Sequence, residues 1–170
     1  GTVSPVTPVL TDASGVAAAT SWTLGSTAGE QTLAATTSPV LTGSPVTFRA
    51  TATAGAPTTM VKSSGDGLTG QVNTTLATPH EVRITDTNGN PVAGVGVTWI
   101  AATGGGSVNP AASTTNADGR ATASRTLGIT PGTETTIAAA TLVGGSTTVT
   151  FTLTATVGGP TEMTILTSQD

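Results

Sequence analysis

The sequence predicts an all-β protein made of tandem, two-sheet antiparallel sandwiches, and three observations lead to this prediction. The 170 residues include 41 threonines, 22 glycines and 10 prolines, so β-branched residues suited to pleated strands are combined with turn formers. Apolar and polar residues alternate at period two, as in half-buried strands. Sequence motifs recur 103 residues apart, which indicates one folded unit used more than once.

The internal repeat sets the predicted domain boundaries. The hexapeptide that begins Gly55-Ala56-Pro57 returns in altered form as Gly158-Gly159-Pro160, and Phe48 returns as Phe151. We therefore predict the C-terminal half of a repeat at 1–55, a complete repeat at 56–158 and the first strand of a following repeat at 159–170. Half a sandwich exposes an apolar face and open sheet edges, so we expect 1–55 to need further residues for stability. An excerpt of a longer protein would explain this division, and subunits that complete one another are the alternative.

The complete repeat contains seven or eight predicted strands. Their positions are near 58–63, 71–76, 80–86, 95–102, 111–115, 120–126, 134–142 and 147–156. Strands this short, separated by Gly- and Asn-rich turns within about 100 residues, are typical of a two-sheet sandwich.

Alternation within these strands predicts the core and the turns. The predicted core residues are Val82, Ile84, Val95, Val97, Trp99, Phe151 and Leu153, together with Phe48 of the first copy. Trp99 shares the apolar register of Val95 and Val97, so we expect it to pack against the opposite sheet. The predicted turns lie at Asn88-Gly89 and at Asn116 to Gly119, where the residue types tolerate positive φ.

Two stretches resemble the bacterial immunoglobulin-like domains of the invasin and intimin type. The stretch from Val82-Arg83-Ile84 through Asn88-Gly89 to Thr98-Trp99 is similar to that family's second strand, turn and third strand. The stretch from Asn116-Ala117-Asp118-Gly119 to Thr126-Leu127-Gly128 is similar to its mid-domain hairpin, and Asp12 to Gly25 repeats that pattern. In one departure, Trp22 of the first copy is matched by Arg125. The resemblance implies tandem immunoglobulin-like modules at the cell surface that act as spacers or adhesive tips.

Composition and charge argue against several other functions. The net charge is −4, and the five basic residues are scattered, so we expect no nucleic-acid partner. The sequence has no apolar run of the roughly 18 residues that span a bilayer, so we expect no membrane insertion within this segment. The absence of cysteine excludes disulfides and thiolate metal sites.

One loop has the opening pattern of a calcium site. Asp86, Asn88 and Asn90 alternate like the first oxygen ligands of a calcium loop, but Pro91 and Val97 replace its glycine and its bidentate glutamate. A hairpin turn therefore accounts for the pattern, and no cofactor is expected. A calcium ion between domains, with Asp66 as a further ligand, is the alternative.

The only histidine offers little support for catalysis. His80 follows Pro79 at a predicted strand start, and a catalytic triad would require it to lie in a cleft. We expect a solvated histidine at a strand edge and no enzyme activity.

These observations favour a structural module of a repetitive extracellular bacterial surface or filament protein. Such a module would act as a rod or stalk that bears tension, with neighbouring repeats of the same protein as partners and self-assembly into filaments as a further possibility. Two alternatives are an adhesin domain that binds a host or matrix ligand at the surface and a decoration or tail domain of a phage virion.

Overall fold

The computed structural model describes residues 1–159, which form strands and turns without a helix. The chain folds as two compact units. Unit 1 comprises Gly1–Gly55 and Asp86–Asn90, and unit 2 comprises Ala56–Thr85 and the residues from Pro91 onward. The strand predicted within 159–170 lies outside the described residues, apart from Gly159.

Unit 2 contains nine strands in its described part. They are β5 (Thr59–Ser64), β6 (Thr69–Gln71), β7 (His80–Thr85), β8 (Gly96–Thr103), β9 (Ser107–Asn109), β10 (Ala112–Thr114), β11 (Arg120–Thr126), β12 (Gly132–Leu142) and β13 (Gly145–Thr156). One sheet has the order β10-β8-β12-β13-β6 and the other β5-β7-β11-β9. The predicted all-β sandwich is therefore confirmed for this unit.

The longest element of unit 2 is the hairpin of β12 and β13. The two strands stay in register from Gly132↔Ala155 to Leu142↔Gly145, and a tight turn that includes Gly144, at φ +100°, joins them. Polar threonines alternate with buried apolar residues on β13, as the period-two pattern of its sequence requires. The hairpin thus presents one apolar face to the facing sheet.

The core of unit 2 draws on both sheets. Its main cluster consists of Met60, Val82, Ile84, Val97, Trp99, Ala121, Ala123, Ala138, Ala140, Leu142 and Phe151. A smaller cluster joins Leu76, Leu127, Leu153 and Ala155, with Leu68 and Val72 packed against it. Most of the large side chains in both clusters come from residues 60–99, the first half of the repeat.

Unit 1 contains four strands, β1 (Thr2–Ser4), β2 (Ser21–Thr23), β3 (Gly29–Ala35) and β4 (Val46–Ala52). They form two separate two-stranded sheets, β1-β2 and β3-β4. The β3-β4 pair runs in register from Gly29↔Ala52 to Ala35↔Val46. Adding the repeat spacing of 103 to Gly29 and Ala52 gives Gly132 and Ala155, so both hairpins use the same register.

The strands of the structure differ from the prediction at two places. The strand predicted at 71–76 is largely a turn, because Asn73 adopts a left-handed φ of +58° and ends β6 at Gln71. The short strand β9 was not predicted, because the three glycines before it hid its single apolar residue, Val108.

Candidate functional site

The largest buried polar group of unit 2 is an ion pair inside the sandwich. Arg125 on β11 and Glu134 on β12 are 0% exposed, and Arg125 Nη2 donates to Glu134 Oε2 at 2.8 Å. Glu134 Oε1 also accepts a hydrogen bond from the Gly128 backbone N–H at 2.9 Å. Buried charges require such pairing because desolvation disfavours an isolated ion.

The two terminal nitrogens of the guanidinium also bind backbone carbonyls of the glycine-rich loop and the strand end. Arg125 Nη2 donates to Gly105 O at 2.7 Å, and Nη1 donates to Thr126 O at 2.8 Å and Ser107 O at 3.3 Å. Within the described residues, Arg125 Nε is the one buried side-chain nitrogen or oxygen without a hydrogen-bond partner. Burial lowers the pKa of Arg125, and the neighbouring Glu134 carboxylate partly opposes this effect. The arginine therefore holds the glycine-rich loop, residues 104–106, against the core through these hydrogen bonds.

Close packing explains why this loop is made of glycine. Gly104 has a φ of +81°, and a Cβ atom there would lie 2.1 Å from Glu134 Cγ. A Cβ atom on Gly128 would lie 1.8 Å from Gly104 O. Side chains at these two positions would displace the loop from the ion pair.

His80 is a core residue, so the prediction of a solvated strand-edge histidine is wrong. The side chain is 0% exposed and its ring lies 4.3 Å from the Phe151 ring, centroid to centroid. Its Nδ1 is within hydrogen-bond distance of Gly65 O at 2.9 Å, and its Nε2 of Thr136 Oγ1 at 3.1 Å. Burial lowers the pKa of His80 below its usual value of 6.5. Both ring nitrogens are thus satisfied inside the protein, where a substrate has no access to them.

The Asp86–Asn90 loop of unit 1 gathers two of the three proposed calcium ligands. Asp86 is 3% exposed, and its Oδ1 accepts hydrogen bonds from the backbone N–H groups of Asn88 and Asn90, at 2.8 and 2.9 Å. Its Oδ2 accepts from Asn90 Nδ2 at 2.9 Å and from Gly55 N at 2.8 Å. These donors, Asn90 first, lower the pKa of Asp86 to about 2. Each carboxylate oxygen already accepts two hydrogen bonds, which a calcium ion would have to displace.

Asn90 also binds the backbone of unit 1 through both atoms of its amide. Its Nδ2 donates to Ser26 O at 2.8 Å, and its Oδ1 accepts from Ala28 N at 2.9 Å. Among the residues that the structure describes, no group of three or more His, Cys, Asp or Glu side chains is arranged to hold a metal ion. The calcium alternative stays a prediction, which calcium titration of the chain would test.

The predicted turn residues lie in turns. Gly89 has a φ of +82° and follows Asn88 in the turn whose N–H groups bind Asp86. Asn116 Oδ1 accepts from the backbone N–H groups of Asp118 and Arg120, both at 3.0 Å, and Gly119 has a φ of +72°. Both turns therefore use a side-chain oxygen to hold the chain reversal.

The predicted core residues fall into three groups. Val82, Ile84, Val97, Trp99, Phe151 and Leu153 are buried, and Val95 is partly buried against the main cluster. Trp99 Nε1 also donates to Ser113 Oγ at 2.8 Å. Phe48 is 52% exposed, so its assignment to a core is wrong for the described residues.

The buried ion pair was not recognised in the sequence, although the internal repeat carries a signal for it. Trp22 occupies the place of Arg125 in the first copy, and Gln31 occupies the place of Glu134. Gln31 Oε1 accepts from Gly25 N at 2.7 Å, just as Glu134 Oε1 accepts from Gly128 N. Both charges are thus replaced together while the backbone hydrogen bond is kept. Such paired replacement at two positions is the pattern expected of an ion pair.

Comparison with known proteins yielded solved structures only. No family model and no curated protein matches the chain. Similar solved structures include the D00-D0 domain of intimin, at 16% identity and a TM-score of 0.45, with 73% of this chain and 63% of that chain covered. The adhesin InvE of Yersinia pseudotuberculosis has 20% identity and a TM-score of 0.45, with 92% and 47% covered. Domains 4 and 5 of the S-layer protein SbsC have 16% identity and a TM-score of 0.47, with 89% and 80% covered.

The chain spans less than two thirds of the length of the intimin and InvE structures. Intimin is the protein type that the sequence motifs of this chain resemble. At TM-scores below 0.5, these similarities support no conclusion beyond the sandwich fold already described. Among residues 1–159, no helix is long and apolar enough to cross a membrane.

Proposed function

We propose that this chain is a structural module of a repetitive extracellular bacterial surface or filament protein, and that its sandwich bears tension within a rod. The sequence resemblance to invasin and intimin modules supports the surface location. The internal repeat supports a role in which one unit is used in series. The observation that carries the tension-bearing role is the pairing between the second strand of unit 2, β6, and its last strand, β13.

The last strand of unit 2 pairs in parallel with a segment near its beginning. Strands β6 and β13 are in parallel register at Thr69↔Thr154 and Gln71↔Thr156. Gly67 N donates to Thr152 O at 2.9 Å, and Thr154 N donates to Leu68 O at 2.9 Å. The last strand of unit 2 is therefore bonded directly to the segment that follows its first strand, β5.

Parallel pairing determines how these bonds respond to force. A pull on the two ends of unit 2 draws β6 and β13 in opposite directions along the strand axis. The evenly spaced hydrogen bonds between the parallel strands then share this force and must break together. A force perpendicular to the strands would instead break the hydrogen bonds one by one. This geometry suits a module that transmits tension from repeat to repeat.

Side chains strengthen the contact between β6 and β13, which we call the joint. Asp66 Oδ1 accepts from Thr152 N at 2.9 Å, and its other oxygen pairs with Lys62. Lys62 Nζ also donates to Thr150 O at 3.0 Å. These contacts connect the loop before β6 with the middle of β13. Asp66 is therefore the residue at which the joint can be weakened without altering the core.

Single-molecule stretching of the 170-residue chain by its ends tests the proposal. We expect unit 2 to unfold in one force peak, with a length gain of roughly 300–350 Å because each released residue adds about 3.3–3.6 Å. Asp66→Ala should lower the peak force, and Asp118→Ala, in an exposed turn away from the joint, should leave it unchanged. Extension without a resolvable peak, or equal peaks for both variants, would contradict a tension-bearing role for this joint.

A further inference from the structure

Unit 1 presents an apolar sheet face that the described residues of the unit cover only in part. Cross-strand partners Leu33 and Phe48 lie on this face of β3 and β4, and Phe48 and Val46 are 52% and 54% exposed. Phe48, Leu33 and Trp22 line an open groove of about 750 Å³. An exposed apolar surface of this kind marks an interaction site.

The internal repeat identifies what covers the same face in unit 2. Phe151, the counterpart of Phe48, is 0% exposed, and Thr136, the counterpart of Leu33, is also 0% exposed. The facing side chains that share the core with Phe151 include Met60, Val82 and Ile84. All three belong to the first half of the repeat, of which unit 1 contains only Asp86–Asn90.

The backbone edges of unit 1 lack partners in the same places. In unit 2, β12 pairs with β8 on the side away from β13, and β13 pairs with β6 on the side away from β12. Strand β11 similarly pairs with β7. The corresponding edges of β3, β4 and β2 have no strand beside them within unit 1. The exposed apolar face and the unpaired strand edges of unit 1 therefore both correspond to the first half of the repeat.

We propose that this face of unit 1 is a docking surface for a first-half repeat segment, a stretch patterned like residues 56–105 and supplied from outside the 170 residues. The first-half segment within this chain, residues 56–105, is already used, since its strands complete the sandwich of unit 2. A second copy offers no gain, because lending residues 56–105 would uncover its own unit 2, and its residues 159–170 correspond in sequence only to 56–67 and lack the equivalent of 68–105. The occupant is therefore an additional segment of the same repeat type. This inference does not depend on the proposed mechanical role.

The test joins a second copy of residues 56–105 directly ahead of Gly1. Val3 pairs with Trp22 as Val108 pairs with Arg125, so Gly1-Thr2-Val3 corresponds to Gly106-Ser107-Val108. The offset here is 105 and not 103, because the first copy has two more residues between these paired strands. The added segment would therefore continue into unit 1 as residues 56–105 continue into β9. Hydrogen exchange would be followed at the amides of β3 and β4, with β12 and β13 as an internal reference. We expect exchange in β3 and β4 to slow by at least about tenfold, toward the rates of β12 and β13.

Two substitutions show whether the apolar face is responsible. Phe48→Asp in the extended chain should abolish the added protection because it places a charge on the docking face. Thr47→Asp, one residue earlier and on the opposite face of β4, is the matched control and should retain it. Unchanged protection of β12 and β13 would show that both variants still fold.

Three outcomes would overturn the proposal. The first is an extended chain whose β3 and β4 amides exchange as fast as in the 170-residue chain. The second is equal loss of protection in the Phe48 and Thr47 variants. The third is concentration-dependent dimerisation of the 170-residue chain that protects β3 and β4, which would make a second copy the occupant.

Discussion

Units 1 and 2 contain the same hairpin in two environments. Strands β3 and β4 pair in the register of β12 and β13, yet Phe48 is 52% exposed and Phe151 is 0% exposed. The register is the same although residues 36–45 connect β3 to β4 and only residues 143–144 connect β12 to β13, so it follows the alternation within the strands and not the turn. Burial of the hairpin depends on the strands that the first half of the repeat contributes.

The two units also differ in the polar groups at equivalent positions. Arg125 and Glu134 form a buried ion pair in unit 2, whereas Trp22 and Gln31 occupy these positions in unit 1. The hydrogen bond from the glycine N–H to the residue-31 or residue-134 side chain is kept in both. The hydrogen bond thus serves the shared loop shape, and the charges serve only the unit that can bury them.

The largest expected contrast concerns the two equivalent phenylalanines. Phe151→Ala should destabilise unit 2 by about 3–5 kcal/mol because it leaves a cavity in a closed core. Phe48→Ala should cost unit 1 about 1 kcal/mol or less, since half of that side chain already contacts solvent. Hydrogen exchange of β12-β13 and of β3-β4 measures each effect separately. Equal losses would show that Phe48 is buried in solution.

The ion pair gives the next contrast. Arg125→Met should cost about 3–5 kcal/mol because Glu134 would remain buried without its partner. Adding Glu134→Gln should restore about half of that loss or more, since Gln31 shows that an amide keeps the backbone hydrogen bond. Urea unfolding followed by Trp99 fluorescence in a Trp22→Phe background measures this double-mutant cycle. Additive losses would contradict the coupling.

Glycine positions beside the pair give a smaller contrast. Gly128→Ala should cost about 1–3 kcal/mol, because its Cβ atom would lie 1.8 Å from Gly104 O. Gly25→Ala, at the equivalent position, should cost about 0.5 kcal/mol or less, because its nearest neighbour is the terminal Gly1 N at 3.0 Å. Thermal unfolding combined with exchange of each hairpin compares the two. A larger loss of stability for Gly25→Ala than for Gly128→Ala would contradict the prediction that the loop of unit 2 is the more tightly packed of the two.

The smallest effect is a pH dependence confined to unit 2. Burial lowers the pKa of folded His80, so the unfolded chain binds the proton first as the pH falls below its usual pKa of 6.5. Stability of unit 2 is therefore complete above that pH and decreases below it. Urea unfolding between about pH 7.5 and 5.5 should show this decrease, and His80→Gln should remove it. The exchange of β3-β4 provides the control, because unit 1 contains no histidine.

Much of unit 2 was predictable because its strands follow simple alternation. The buried residues Val82, Ile84, Val97 and Trp99 were assigned from period two alone, and the turns at Asn88-Gly89 and Asn116-Gly119 from residue types that tolerate positive φ. The prediction failed for His80, because a polar residue at a strand start is ordinarily solvated. Its burial depends on Gly65 O and Thr136 Oγ1, which lie 15 and 56 residues away in sequence.

The amino-acid sequence alone determined the all-β class and the repeat, since these depend on residues close together in the chain and on the repetition of motifs. Only the tertiary structure revealed the ion pair of Arg125 and Glu134, the buried His80 and the exposed face around Phe48. These features depend on which sheet lies opposite each strand. Burial is a property of the assembled sandwich, so similar strand patterns led to a closed core in unit 2 and an open face in unit 1.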